Sequence, residues 1–179
     1  IEYEAKGTPE KKVISLAREL LARTEPLMEK HRHMICPDGM NHTDVVRDNI
    51  VKTSEGMRLI DWEKPRMDDC TYDIACFLCE PAQLWCTHLS PKVMTREDRG
   101  NFLKAYARLS GKNADLLLEK VRIREPLIAL HWILWGATKL CDLRDRRTAP
   151  ELVQVHEEKR VRYERIADPG NIERLLESF

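Results

Sequence analysis

The sequence lacks a surplus of either charge: 30 Lys and Arg residues are balanced by 30 Asp and Glu residues. Neutralising nucleic-acid phosphates needs a basic surplus, so this balance argues against a nucleic-acid partner. The sequence also lacks the run of about 20 apolar residues that a membrane-spanning helix needs. Its longest candidate, residues 126–137, is interrupted by His131. We therefore expect neither nucleic acid nor a membrane among the partners of this protein.

The composition is typical of a single soluble, globular domain. The chain has 179 residues, of which 42% are apolar and 34% are charged. This length is sufficient to bury a hydrophobic core. The six cysteines are expected to be reduced, partly buried thiols, as is usual in a cytosolic protein, so we expect a cytoplasmic location.

A β-hairpin is predicted in the middle of the most polar stretch of the chain. Two β-prone runs, residues 50–53 and 58–60, flank residues 54–57, which contain the glycine that a hairpin loop favours. The outer ends of antiparallel strands lie about 5 Å apart. Asn49 precedes the first strand and Asp61 follows the second, so we expect these two side chains to lie next to each other.

A third polar side chain, Asp44, precedes Asn49 by five residues, so one tight loop can direct both towards the same point. Mg²⁺ prefers oxygen ligands and takes one or two from the protein, which the Asn49 amide and the Asp61 carboxylate can supply. The other carboxylate then stands free to orient and deprotonate an attacking hydroxyl. This division of roles is the one found in kinase-type phosphoryl transfer.

Three short motifs together resemble the catalytic core of the aminoglycoside phosphotransferase and choline kinase family: His42-x-Asp44-x4-Asn49, Leu59-Ile60-Asp61-Trp62-Glu63 and Asp69-x3-Asp73-Ile74-Ala75. The resemblance implies a protein-kinase-like fold and the transfer of phosphate from ATP, with Mg²⁺, to a hydroxyl group. The acceptor would be an aminoglycoside, choline or another small metabolite.

The same resemblance implies a role for each matched residue. Asp44 would be the catalytic base, while Asn49 and Asp61 would bind the magnesium ion. His42 would brace the loop, and Asp73 would open a helix and anchor the catalytic loop from behind. Thr43 departs from the pattern because the family often has Gly there; Thr needs ordinary φ and ψ, so we expect the loop to differ slightly.

The resemblance covers only the helical C-terminal lobe of that fold. The family has a smaller, sheet-rich lobe that carries a flexible loop and a Lys for the phosphates. The segment up to His33 has only Gly7 and no alternating apolar strands, and the chain starts at Ile1 without Met. We therefore expect numbering that begins inside a longer protein. The helical lobe alone would lack half of the nucleotide site. The alternative to an active phosphotransferase is therefore a non-catalytic, kinase-like interaction domain.

The predicted architecture is a single mainly α lobe with one small β-hairpin. It divides into a lead-in helix in residues 1–41, the catalytic loop, hairpin and metal-binding segment in residues 42–73, and a helical acceptor-binding subdomain in residues 74–179. Prolines are expected to bound several helices, because proline removes a backbone donor. Helices are predicted at residues 8–23, 74–80, 96–109, 114–124, 126–143, 151–166 and 171–179, with Pro26, Pro81, Pro126 and Pro169 as boundaries.

Three further side chains are candidates for binding the acceptor or a second ion. Glu63 follows Asp61 by two residues and is a candidate for a second magnesium or a substrate ammonium. His131 and Trp135 share one face of the most apolar predicted helix. Both belong either to the core or to the pocket for the phosphate acceptor, and the core is the favoured interpretation.

A cysteine metal site is the rival interpretation of the chain. Cys76-x2-Cys79 has the spacing of metal ligands, and Cys70 and Cys86 lie near by in sequence. The pair falls within a predicted helix, however, whereas zinc knuckles usually place this motif in a turn with a glycine near it. Reduced thiols without a metal are therefore the expected state.

Overall fold

The computed structural model describes residues 8–86, 93–145 and 153–177. Within these ranges the fold is mainly helical, with two small antiparallel sheets. The helices are α1 Thr8–His31, α2 Thr71–Leu78, α3 Glu80–Trp85, α4 Arg96–Ser110, α5 Ala114–Asp145, α6 Val153–Ile166 and α7 Pro169–Glu177. The strands are β1 Gly39–Asn41, β2 Ile50–Thr53, β3 Gly56–Leu59 and β4 Arg66–Asp68, and 3₁₀ turns cover Arg32–Met34 and Arg47–Asn49.

The predicted hairpin is present with a shorter loop than expected. β2 pairs with β3 in antiparallel register, from Ile50 opposite Leu59 to Thr53 opposite Gly56. The loop is therefore two residues long rather than four, because Gly56, with a φ of +119°, already begins the second strand.

The second sheet was not predicted. β1 pairs with β4, and Met40 lies opposite Met67. These two side chains are exposed, so the three-residue strands show no alternation of buried and exposed residues that a sequence pattern would detect. β4 lies in the stretch between the predicted hairpin and the helix predicted at residues 74–80.

α5 is the central helix of the fold, and it includes the most apolar of the predicted helices. It packs against α1, α2, α3, α4 and α6. One side of it, including Val121 and Ile128, lies in a core shared with α2 and α4. Leu130 and Ile133 lie in a second core with α1 and α7. No helix of the described ranges is long and apolar enough to cross a membrane.

Two prolines do not end the helices that they were expected to end. α1 continues through Pro26, and α5 continues through Pro126 as one helix rather than two. A proline inside a helix costs about 3 kcal/mol because it removes one hydrogen bond and crowds the preceding turn. Burial on both sides of Pro126 outweighs this cost: Ile123 and Ile128 are both buried.

Other predicted boundaries are confirmed. Thr95 and Asp98 form a reciprocal capping box at the start of α4, and Gly111 ends that helix with a φ of +69°. α2 ends at Leu78 and Pro81 lies in the first turn of α3, so this proline does mark a boundary. The predicted end of the last helix, residues 178–179, lies outside the described residues.

Candidate active site

The loop that contains Asp44 is anchored from behind by the first turn of α2. Asp73 Oδ2 accepts a hydrogen bond from the backbone N–H of His42 at 2.7 Å, and Asp73 Oδ1 accepts one from the N–H of Thr43 at 2.8 Å. Both oxygens of one carboxylate therefore hold two consecutive backbone donors. Hydrogen bonds to an ionised acceptor are stronger than neutral ones. This geometry fits the anchoring predicted for Asp73.

His42 connects this loop to the end of the hairpin. Its ring is fully buried; Nε2 donates to the carbonyl oxygen of Ile60 at 2.7 Å, and Nδ1 accepts from the N–H of Asp44 at 3.3 Å. One ring nitrogen donates and the other accepts, so the ring is the neutral tautomer with its proton on Nε2. The Trp62 ring packs edge-on against it, with centroids 4.7 Å apart. His42 thus links the loop that contains Asp44 to the end of the hairpin.

Asn49 contacts Asp44 directly, as the loop spacing predicted. Its Nδ2 donates to the Asp44 backbone oxygen at 2.9 Å and to the Asp44 carboxylate Oδ2 at 3.3 Å. The backbone oxygen of Asn49 accepts from the N–H of Ile60 at 2.9 Å, so Asn49 lies beside the residue that precedes Asp61. The hairpin therefore gathers Asp44, Asn49 and Asp61 into one region.

Two residues of this region adopt the left-handed backbone conformation. Thr43 has a φ of +70° and Asp61 a φ of +66°. Our expectation that Thr43 would impose ordinary backbone angles is therefore wrong. The loop keeps the conformation that suits Gly, because the Asp73 contact and a 2.8 Å hydrogen bond from Thr43 Oγ1 to the Lys64 oxygen hold it. This conformation costs a residue with a side chain about 1–2 kcal/mol, and such strain clusters at functional sites.

The two side chains expected to bind magnesium, Asn49 and Asp61, offer oxygen atoms and lie at the outer ends of neighbouring strands. The Asn49 amide turns its Nδ2 towards Asp44, which makes Oδ1 the atom of this amide suited to a cation. The Asp61 carboxylate is exposed to solvent. Glu63 is also exposed, but its Oε1 lies 2.5 Å from Lys64 Nζ. Hydrogen bonding to Glu63 raises the pKa of Lys64, so this carboxylate already has a cationic partner.

His131 and Trp135 have different surroundings, although they share one predicted face. His131 is exposed, so the core interpretation is wrong for this residue. Trp135 is half-buried and packs against three other rings, with centroid distances of 5.2 Å to Trp85, 5.4 Å to Trp132 and 5.2 Å to Tyr163. We call these four rings the aromatic cluster. They come from α3, α5 and α6. Only Trp132 and Trp135 are close enough in sequence for helical spacing to predict their contact.

The aromatic cluster lies beside the turn that carries Asn49. The Arg162 guanidinium lies over the Trp85 ring, 5.1 Å from its centroid. The same side chain approaches Asp48 Oδ2 at 3.6 Å. Arg47 Nη2, on the other side of Asp48, donates to the Gln83 backbone oxygen in α3 at 3.0 Å. Helices α3 and α6 therefore both contact the turn that positions Asn49.

The four cysteines of the rival metal site do not come together as ligands in the described part of the chain. Cys76, Cys79 and Cys86 are buried. Burial raises the pKa of the Cys76 thiol to about 12 and that of Cys79 well above its usual value, which disfavours the thiolates that zinc requires. Among the described residues, a closely spaced group of three possible metal ligands occurs at Asp38, Asp69 and Cys70.

Lysines neutralise the carboxylates of that group. Lys112 Nζ lies 2.5 Å from Asp38 Oδ2, and Lys120 Nζ lies 2.6 Å from Asp69 Oδ2. Burial alone would raise the pKa of the Asp69 carboxyl, but hydrogen bonds from Lys120 and Thr71 hold it below its usual value. Asp69 also accepts the Thr71 N–H at 3.0 Å, at the start of α2.

This charged network is a feature that sequence reasoning missed. Arg124 Nη2 extends it with a contact of 2.5 Å to Asp68 Oδ1. The network ties α5 to the end of β4 and to the start of the helix that carries Asp73, through pairs separated by 56 and 51 residues in sequence. A sequence pattern gives no sign of pairs at that separation.

Comparison with models of known protein families gives a match. A family model described as choline/ethanolamine kinase matches residues 4–159, which is most of the chain. Neither the curated proteins nor the solved structures provide a match.

Proposed function

This chain belongs to the choline/ethanolamine kinase family, and on that basis we propose that it transfers phosphate from ATP to a hydroxyl group of a small amino alcohol. The pairing of Asp44 with Asn49 carries the proposal. A carboxylate held at the end of a strained, anchored loop, with one oxygen fixed by an amide, is a suitable acceptor for the proton of a hydroxyl nucleophile. Asp73 and His42 hold that loop.

In the proposed reaction, Asp44 orients the acceptor hydroxyl and takes its proton. The hydroxyl oxygen forms a bond to the γ-phosphorus while the bond from that phosphorus to the bridging oxygen breaks, which yields a phosphate ester and ADP. Asn49 Nδ2 holds Asp44 Oδ2, 3.3 Å away, so Oδ1 is the atom that receives the proton. The Asp73 hydrogen bonds prevent the loop from relaxing out of this position.

Mg²⁺ fits the donor set that Asn49 and Asp61 provide. Both offer hard oxygen atoms, and Mg²⁺ usually takes only one or two such ligands from a protein. When bound, the ion would neutralise charge on the phosphates. Glu63 stays a further candidate ligand, although a second ion would have to displace Lys64 from it.

The acceptor class is argued from the aromatic cluster. Aromatic faces attract quaternary and other ammonium groups, and the four rings lie next to the turn that carries Asn49. An amino alcohol whose ammonium group contacts these rings could direct its hydroxyl towards Asp44. Trp135 is thus assigned to the acceptor pocket, and the exposed His131 to its edge.

The test is ADP production by this chain and by the longest open reading frame that contains it. The acceptor panel would contain choline, ethanolamine and an aminoglycoside, each with and without Mg²⁺. We expect turnover that needs both acceptor and Mg²⁺, and a loss of about a hundredfold or more in kcat for Asp44→Asn. Asp115→Asn, which changes an exposed carboxylate in the first turn of α5, is the matched control.

Binding measurements separate the metal ligands from the base. Asn49→Ala and Asp61→Asn should each weaken Mg²⁺-dependent nucleotide binding, whereas Asp44→Asn should leave it nearly unchanged. Unaltered Mg²⁺ and nucleotide binding in both ligand variants would refute the metal assignment. Absence of turnover and of nucleotide binding in both forms of the protein would instead favour a non-catalytic, kinase-like interaction domain.

A further inference from the structure

The aromatic cluster already has a cation on one of its rings. The Arg162 guanidinium lies 5.1 Å from the Trp85 centroid, within the distance of about 6 Å at which a cation is attracted to an aromatic face. Its side chain is only 22% exposed, so this contact is largely shielded from solvent. Attraction between a cation and a ring strengthens when water is excluded.

Arg162 also has a second partner to which it can move. Its Nη1 lies 3.6 Å from Asp48 Oδ2, which is beyond hydrogen-bond distance, so the pair can still close. The side chain therefore stands between an aromatic face and a carboxylate. An aromatic face and a carboxylate are also groups that attract an ammonium ion.

We propose that the Arg162 guanidinium occupies the cation position of the aromatic cluster, and that it is a specificity-determining residue which an ammonium acceptor must displace. The inference rests on the proposed function, since it concerns the acceptor pocket assigned there. On binding, the ammonium group would take the Trp85 face, and Arg162 would close its contact with Asp48. This competition lowers the affinity for cationic acceptors and leaves the affinity for neutral alcohols of the same shape unaffected.

The competition can be measured by calorimetric titration without any turnover. The probes are choline and its uncharged isostere 3,3-dimethylbutan-1-ol, added to the whole chain in the absence of nucleotide. Arg162→Leu should lower the Kd for choline by about fivefold, the factor that corresponds to roughly 1 kcal/mol of cation–π attraction. The Kd for the isostere should not change.

Two variants control for charge and for position. Arg162→Lys keeps the cation and should keep the wild-type Kd for choline within about twofold. Arg160→Leu removes one positive charge from the same helix, where Arg160 is exposed and pairs with Glu157 and Glu164, and should change neither Kd. In the Arg162→Leu background, Asp48→Asn should remove part of the gain in affinity, because it removes a negative charge that attracts the ammonium group.

Several results would overturn the inference. An unchanged or higher Kd for choline in Arg162→Leu contradicts it. An equal decrease in the Kd for the isostere also contradicts it, because the variant would then act by enlarging the pocket and not by removing a charge. If Arg162→Leu lowers the melting temperature enough to compromise folding, Arg162→Gln replaces it with the same expectations.

The failure of this inference differs from the failure of the proposed function. Absence of choline binding in every variant overturns the inference, while Asp44-dependent turnover of another alcohol would still support the phosphotransferase. Conversely, a tighter choline complex in Arg162→Leu, without any turnover in the ADP assay, supports the inference and contradicts the proposed catalysis.

Discussion

The contact between Asp73 and the loop that contains Asp44 should be among the most consequential of the candidate site for stability. The two oxygens of this carboxylate accept the N–H groups of His42 and Thr43 at 2.7 and 2.8 Å. Hydrogen bonds to a charged group contribute about 1.5–3 kcal/mol each. Together they exceed the cost of about 1–2 kcal/mol for the left-handed conformation of Thr43. The two contacts are therefore sufficient to hold the loop in its strained form.

Asp73→Asn replaces one of the two acceptor oxygens by an NH₂ group. One backbone N–H then meets a donor instead of an acceptor and loses its hydrogen bond. We expect a loss of about 2–4 kcal/mol in the free energy of unfolding, from one charged hydrogen bond and one unsatisfied donor. Asp73→Ala removes both acceptors and should cost more than the Asn variant.

The assay is equilibrium unfolding in urea, followed by the fluorescence of the chain's 4 tryptophans. Asp115→Asn serves as the matched control and should change the free energy of unfolding by less than about 0.5 kcal/mol, as surface substitutions usually do. A loss of less than that amount in Asp73→Asn, or an equal loss in the control, would refute the argument that this carboxylate holds the loop.

Three further predictions concern backbone strain, charge and packing. Thr43→Gly should be more stable than Thr43→Ala by about 1 kcal/mol in urea unfolding, because both lose the hydroxyl but only Ala retains a Cβ at a φ of +70°; equal stabilities would show that the loop relaxes. The lowered pKa of Asp69 means that its contribution is complete above the ordinary value of 3.8 and is lost as the pH falls through the lower pKa of the folded state. Thermal unfolding should therefore show a steeper loss of stability at acid pH for the wild type than for Asp69→Asn, and parallel profiles would contradict this. Gly136→Ala should lower the free energy of unfolding by about 1–3 kcal/mol, because its Cβ would lie 2.5 Å from Cγ1 of the fully buried Ile166; Gly100→Ala, whose Cβ meets nothing within 4 Å, is the control and should not destabilise.

Local features of the chain were predictable where neighbouring residues determine them. The strands of the hairpin, the capping box of α4 and the start of α7 depend on residues close together in sequence. The approach of Asn49 to Asp44 follows from one short loop, and its nearness to Asp61 from antiparallel pairing.

Features that depend on distant contacts were missed or misjudged. Pro126 remains inside α5 because burial by other helices outweighs the intrinsic preference of proline, and no local pattern reports that burial. The left-handed Thr43 depends on Asp73, which is 30 residues away. The network of Lys120 and Arg124 depends on β4 and the start of α2, so it is visible only when the chain is folded.

The continuity of α5 through Pro126 connects the two halves of the proposed site. Before this proline, Lys120 and Arg124 bind Asp69 and Asp68 and so fix the start of the helix that carries Asp73. After it, α5 carries two rings of the aromatic cluster. Eight residues of helix separate Arg124 from Trp132, a rise of about 12 Å. A helix that ended at Pro126 would leave the loop anchor and the aromatic cluster free to move relative to each other. A continuous helix instead keeps the proposed base and the proposed acceptor pocket at a fixed separation, which direct transfer of phosphate to a bound hydroxyl requires.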